Sequence, residues 1–170
     1  MPIHRLNHAV LYVRDVERST AFYADVLGFR VVSSFRGAAF LQAPDSTNDH
    51  DLGLFEIGAA AGASEAGRRT VGLYHLAWEV DTLAELARLA DVLGTAGAMV
   101  GASDHGTTKS LYAKDPDGLE FEVAWVVPAA MLDDEARSAP AVRPLDLGRE
   151  LRRYGAETRG GVGISIPAGG

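Results

Sequence analysis

Apolar and polar positions along the chain change period in a fixed order, and the same order returns 66 or 67 residues later. Residues 6–13, Leu-Asn-His-Ala-Val-Leu-Tyr-Val, are rich in β-branched and aromatic types and predict a strand with Leu6, His8, Val10 and Tyr12 on one face. Asp15 then caps a helix that runs to about Leu27 and stops at Gly28, with Ala21, Phe22, Val26 and Leu27 as its apolar stripe. Strands follow at about 29–35, 38–43 and 51–58, separated by the Arg36-Gly37 turn and the polar stretch Pro44–Asp49. After a Gly/Ala/Ser-rich connector at 58–70, a strand begins near Tyr74. Thr82 and Glu85 have the spacing of a capping box at the head of a second helix, which Gly94 should end. Strands near 98–102, 109–114 and 119–126 complete the copy, with Asp115-Pro116-Asp117-Gly118 as a tight turn.

The order βαβββ thus occurs twice, over about 3–60 and 71–127, and predicts an α+β domain over 1–127. A module repeated in this way usually cannot bury its apolar face alone. His8 returns as His75, Ala24–Gly28 as Ala90–Gly94, and Phe55-Glu56-Ile57 as Phe121-Glu122-Val123. Residues 128–170, with Pro128, Pro140, Pro144, Pro167, a short helical stretch around 145–155 and a Gly-rich close, match neither copy. Such an extension suits an arm packed over the domain or a partner subunit, and equally a partly disordered terminus.

Composition narrows the chemistry. At 170 residues and 47% hydrophobic content, the chain can bury one sizeable core or two small fused ones. A net charge of −7 with no run of Lys or Arg argues against nucleic acid and anionic membranes as partners and leaves a small molecule as the expected ligand. No signal-type or membrane-spanning stretch stands out, which suggests a cytoplasmic protein. With no cysteine, metal or acid/base chemistry falls to the five histidines and the carboxylates.

His8 and His75 each sit among apolar residues, where a lone histidine is commonly a core residue. Independent packing accidents have no reason to respect an internal repeat, however. Glu122, between Phe121 and Val123 on a half-buried strand, needs a positive partner that a divalent cation would supply. Two histidines and a carboxylate on one side of an ion are the facial triad of non-haem Fe(II) oxygenases.

The paired βαβββ modules, with a histidine on each first strand and a carboxylate on the last, resemble the vicinal oxygen chelate superfamily. That superfamily includes glyoxalase I, methylmalonyl-CoA epimerase, extradiol dioxygenases and metal-free drug-binding proteins. The resemblance covers about residues 3–127 and implies a cupped mixed β-sheet with a metal inside. From His105 the chain reads His-x5-Leu111-Tyr112-x2-Asp115-Pro116-x-Gly118-x3-Glu122, similar to the type I extradiol dioxygenase signature, with Ser103 as one departure. Asp49-His50-Asp51-Leu52-Gly53-Leu54 is similar to the segment that carries the acid/base histidine of those enzymes.

The resemblance implies ring cleavage of a catechol-like aromatic diol with O2 in a homodimer. Fe(II), or Mn(II), would be held by His8, His75 and Glu122, with His50, His105 and Tyr112 as catalytic residues. Val10, Tyr12, Leu52 and Trp125 are candidate lining for the cup. The alternative is an isomerase or lyase of glyoxalase I or epimerase type, with Glu56, the repeat counterpart of Glu122, as a fourth ligand. On a continuous strand His50 and Glu56 share a face but lie about 20 Å apart, so both cannot serve one ion without a bulge. A metal-free binding protein is the third reading, and the intact ligand set counts against it.

Overall fold

The computed structural model describes residues 3, 5–66, 69–138 and 142–165. They fall into two compact units, Met1–Glu65 with Asp115–Leu119, and Ala66–Lys114 with Glu120–Gly170.

In the first unit the order is β1 (Ala9–Val13), α1 (Val16–Leu27), β2 (Arg30–Phe35), β3 (Ala38–Gln42) and β4 (Leu52–Glu56). The sheet runs β1-β4-β3-β2, with β1 parallel to β4 and the other pairs antiparallel. Alternation buries Leu11, Val13, Leu41, Leu52 and Leu54, while Val10 and Tyr12 stay exposed on the other face. Asp15 caps α1 by accepting from the Arg18 N–H at 2.9 Å, and Gly28, at φ 77°, closes it. The buried row of α1 is Val16, Ser19 and Tyr23 rather than the expected stripe; Ala21 is exposed and Phe22, Val26 and Leu27 are half-buried. Tyr23 fixes this rotation by donating its hydroxyl to Asp115 Oδ2 at 3.3 Å.

The Asp115–Leu119 turn is itself tightly bonded. Asp115 Oδ1 accepts the N–H groups of Asp117 and Leu119, and Asp117 takes Arg14 Nη1 at 3.0 Å and Arg18 Nη2 at 2.7 Å.

The second unit repeats the plan with β5 (Leu76–Glu79), α2 (Leu83–Thr95), β6 (Met99–Asp104), β7 (Thr108–Lys114) and β8 (Glu120–Val126). Its sheet order, β5-β8-β7-β6, mirrors the first and gains β9 (Arg143–Pro144) at its edge. Each unit carries an irregularity at the same place, between Val31 and Ser33 in β2 and between Met99 and Gly101 in β6. Thr82 caps α2 through the Glu85 N–H, but the Glu85 carboxylate turns to Arg88 at 2.6 Å, so the capping box is half made. The helix also runs through Gly94 to Thr95. The chain turns instead at Gly97, whose φ of 65° lies in the left-handed region.

The extension packs on the second unit through a 3-10 turn (Ala129–Met131), α3 (Asp134–Ser138), β9 and α4 (Leu147–Tyr154). Trp125 donates to the Thr158 carbonyl at 3.1 Å and lies 5.4 Å, ring to ring, from Tyr154. Gly160 donates to the Asp81 carbonyl, and a Cβ there would stand 2.0 Å from the Val126 carbonyl oxygen, so only glycine fits. Residues 128–138 and 142–165 are packed in this way, while Pro140, Pro167 and the final Ala-Gly-Gly lie outside the described residues. Among the described residues no helix is long and apolar enough to cross a membrane.

Burial raises the Asp115 carboxyl above its ordinary range despite its N–H donors. A folded pKa above the unfolded one means that its stabilising contribution is complete below about pH 4 and lost as pH rises through the folded value. Asp115→Asn should gain stability relative to wild type as pH rises from 4 to 7, read as a pH-dependent difference in thermal midpoint. A difference that does not change with pH would contradict this.

Candidate metal centre

In each unit the first strand lies parallel to the last, so the residue that precedes the first strand is set beside the last strand or the loop leading into it. His8 precedes β1 and His75 precedes β5, each one place outside the strand expected to contain it.

In the second unit Ala77 pairs with Glu122 across β5 and β8, and Tyr112 pairs with Glu122 across β7 and β8. His75, Tyr112 and Glu122 are thereby brought together. His75 Nε2 stands 3.0 Å from Glu122 Oε2, and the His75 and Tyr112 rings are 5.8 Å apart. Two donors bound about 2.1 Å from an ion at a right angle to one another also lie about 3.0 Å apart, so this pair fits adjacent coordination positions. The His75 Nδ1 is shielded from solvent and has no hydrogen-bond partner among the described residues. Beyond the ring contacts with Tyr74 and Tyr112, Glu122 is thus its polar anchor.

Two neighbours complete this cluster. Ser110, fully buried, donates its hydroxyl to Glu122 Oε1 and leaves Oε2 toward His75. Sequence reasoning missed Ser110; its signal was the alternation that places it two residues before Tyr112 on the same strand face. Tyr112 Oη lies 2.9 Å from His105 Nε2 in the turn between β6 and β7. Burial, followed by the Glu122 charge, pushes the Tyr112 phenol above its ordinary range, so it is protonated at neutral pH.

In the first unit, His8 and His50 meet with ring centroids 4.5 Å apart, and Phe40 stands edge-on to His50 at 5.1 Å. His50 lies in the loop before β4 rather than on the strand. The loop is held by Asp51, which accepts from the Ala43 N–H, Ser46 and Asn48, and Asn48 also donates to the Asn7 carbonyl beside His8. His8 Nδ1 is 2.8 Å from Asn7 Oδ1 and His50 Nδ1 is 3.0 Å from Asp49 Oδ2. Oxygens of this kind only accept, so each ring donates from Nδ1, and in the neutral tautomer the lone pair is at Nε2. Beyond His8 the same strand face, through Val10 and Tyr12, lines a cavity of about 280 Å³ with Arg14 and Ile57.

Strand register corrects the expected repeat at Glu56. Val10, two places after His8, pairs with Gly53, just as Ala77, two places after His75, pairs with Glu122. Gly53, not Glu56, is therefore the register counterpart of Glu122. Glu56 lies three places on, beside buried Val13, and its Oε2 accepts the Val16 N–H at the head of α1 at 3.1 Å. Leu52 and Trp125, expected in the cup lining, are fully buried; Leu52 lies on the face opposite Val10, and Trp125 on the face opposite Glu122. Within either unit, no three His, Asp or Glu side chains among the described residues are grouped to hold an ion.

Residues 5–123 match the sequence profile of the Glyoxalase/Bleomycin resistance protein/Dioxygenase superfamily, and the chain belongs to that superfamily. It is 33% identical over 119 residues to the catechol-2,3-dioxygenase of Bacillus subtilis (strain 168), covering 69% of this chain and 40% of that protein. It is 36% identical over 120 residues to biphenyl-2,3-diol 1,2-dioxygenase 3 of Rhodococcus globerulus, covering 70% and 62%. The chain thus spans about half the length of these dioxygenases. A lactoylglutathione lyase of Salmonella typhimurium is 28% identical over 134 residues, covering 70% of this chain and 90% of the lyase. The glyoxylase/bleomycin resistance protein/dioxygenase domain from Frankia sp. EAN1pec shares the fold, with a TM-score of 0.64 at 23% identity over 74% of this chain and 94% of that one.

The tautomer assignment is open to test. In ¹⁵N-edited spectra the His8 Nε2 should be the unprotonated nitrogen, and Asn7→Leu, which removes the acceptor at Nδ1, should move the proton toward Nε2. No change in the His8 nitrogen shifts in that variant would refute the assignment.

Proposed function

We propose that the chain is an extradiol ring-cleavage dioxygenase acting on a catechol-like vicinal diol with O2. Fe(II), or Mn(II), would be held by His8, His75 and Glu122, and the working form would be a cytoplasmic homodimer. The observation that carries this reading is the hydrogen-bonded His105–Tyr112 pair on the sheet face that also presents His75 and Glu122. A glyoxalase-type isomerisation offers that pair no evident task.

When bound, the ion would chelate the two diol oxygens and couple the diol electronically to dioxygen. The remaining work falls to the protein. Tyr112, protonated and held by His105, would donate a hydrogen bond to a diol oxygen and orient the ring, rather than act as a base. His105 would donate from Nε2 to the Tyr112 oxygen, which leaves the phenol proton for the diol and keeps that hydroxyl aimed. His50 would serve as the acid/base group, taking a proton and returning it as the O–O bond breaks. Ser110 would keep the Glu122 carboxylate to one oxygen. Val10 and Tyr12 would offer an apolar wall to an aromatic ring.

The lyase relatives, matched over 90% of their length, favour the second reading, metal-dependent isomerisation with a fourth carboxylate ligand. The register argues against it here, since Gly53 stands where that carboxylate would and Glu56 binds the head of α1.

The test is anaerobic Fe(II) reconstitution followed by oxygen-electrode and visible assays on a panel of catechols. Oxygen uptake with a yellow ring-fission product is expected, and His50→Ala should lower kcat about 10²- to 10⁴-fold with smaller change in KM. Metal binding without oxygen uptake on any diol would reject the reading in favour of isomerisation. Ser110→Ala should weaken Co(II) binding about 10- to 100-fold by freeing Glu122, measured by competition titration.

A further inference from the structure

The turn between β6 and β7, which carries His105, is underlain by a cluster of charges that the proposed reaction does not use. Lys109 is fully buried, with Asp104 3% and Glu150 1% exposed. The Lys109 ammonium lies 2.5 Å from Asp104 Oδ1 and 3.2 Å from Glu150 Oε2, donates to the Gly106 carbonyl at 3.1 Å, and sits 5.6 Å above the Tyr154 ring. Asp104 Oδ1 also accepts the Gly106 N–H at 2.8 Å, and Asp104 Oδ2 takes Arg143 Nη2 at 2.8 Å. Both peptide groups of Gly106 are thus tied to one ion pair, immediately after His105. Asp104 pairs in register with Arg143 of β9, and Glu150 comes from α4.

A buried ammonium must be paired, and two carboxylates around it need further positive charge. Here half of the cluster, Arg143 and Glu150, comes from residues beyond the 5–123 family match. Burial alone would raise the Asp104 carboxyl, yet Lys109, the Gly106 N–H and Arg143 together hold it below its ordinary range, so Asp104 is ionised at neutral pH. Ion pairs of this kind are weak sources of net stability, and in some proteins their role is to select one conformation. The conformation selected is that of the turn that aims His105 at Tyr112.

We propose that Arg143 and Glu150 of the C-terminal extension are positioning residues for His105, acting through the buried Asp104–Lys109 pair on the His105–Gly106–Thr107 turn. The proposal rests on the reading in which His105 serves the site, but its structural part is testable without catalysis.

The experiment uses the full chain with Glu150→Gln, isosteric and neutral, and with Arg153→Gln as control. Arg153, on the same helix as Glu150, pairs with Asp133 and Glu135 at the head of α3 rather than with the turn itself, and lies over the Tyr154 ring. In Glu150→Gln, exchange of the Gly106 amide should accelerate on the order of tenfold or more relative to Leu111 and Val123. The His105 ring resonances should shift toward those of a free imidazole. Arg153→Gln should leave both unchanged even where it lowers the melting temperature. Should Glu150→Gln fail to fold, Arg143→Gln is read on the same amide with the same expectation. Gly106 exchange and His105 shifts that match wild type, or move no further than in Arg153→Gln, would overturn the proposal. With an active diol, Glu150→Gln should lower kcat more than it raises KM. A wild-type protein inert toward every diol would defeat the dioxygenase reading, while the Gly106 and His105 signals would still decide the positioning.

Discussion

Parallel strands cannot be joined by a tight turn, so a chain that lays its first strand beside its last must carry the intervening elements around in between. Both units do this, β1 beside β4 and β5 beside β8, and the candidate chemistry follows from it. The pairing sets His8 against the His50 loop and His75 against Glu122, each at an opening where the sheet has begun on one side only. His50, His75 and Glu122 are half-buried there, and His8 is exposed. The antiparallel partner β7 then adds Ser110 and Tyr112 to the same face by simple alternation.

Much of this was legible in the residues. The repeat, both helix N-caps, the turn at Asp115–Gly118 and the identity of the last strands follow from local chemistry that the packing does not override. What failed is what depends on register or rotation. The likeness of Phe55-Glu56-Ile57 to Phe121-Glu122-Val123 is a likeness of letters, and an offset of three along a strand turns Glu56 to the other face and to the head of α1. The rotation of α1 is set by Tyr23 reaching Asp115, a partner 92 residues away that no helical periodicity can show. Gly94 continues its helix because the cost of glycine in a helix, about 1 kcal/mol, is small beside the burial of Leu86, Leu89 and Leu93. Ser110 gave no motif; only the register reveals it.

The extension was the least readable segment, because its anchoring lies in residues of opposite charge far apart in sequence. Lys109 reads as a surface residue on composition alone, and its burial makes sense only once Glu150 and Arg143 arrive. Removing one member of such a buried set typically costs about 3–5 kcal/mol, so the extension and the second sheet are energetically one body.

The irregularity in β2 bears on how the protein behaves in a crowded solution. β2 is an edge strand, exposed along its whole length, and it carries Val31, Val32 and Phe35. A straight strand of that composition would be a template for indefinite edge-to-edge growth. The extra residue between Val31 and Ser33 breaks the even spacing of its free peptide groups, so an incoming strand meets them in phase for only a few residues. In the second unit the equivalent edge has the same irregularity and is also covered by β9. The first sheet thus ends at β2 in a break that resists fibrous self-association, and the second ends beyond its break in the two-residue β9; the cost is one unpaired residue in each of β2 and β6.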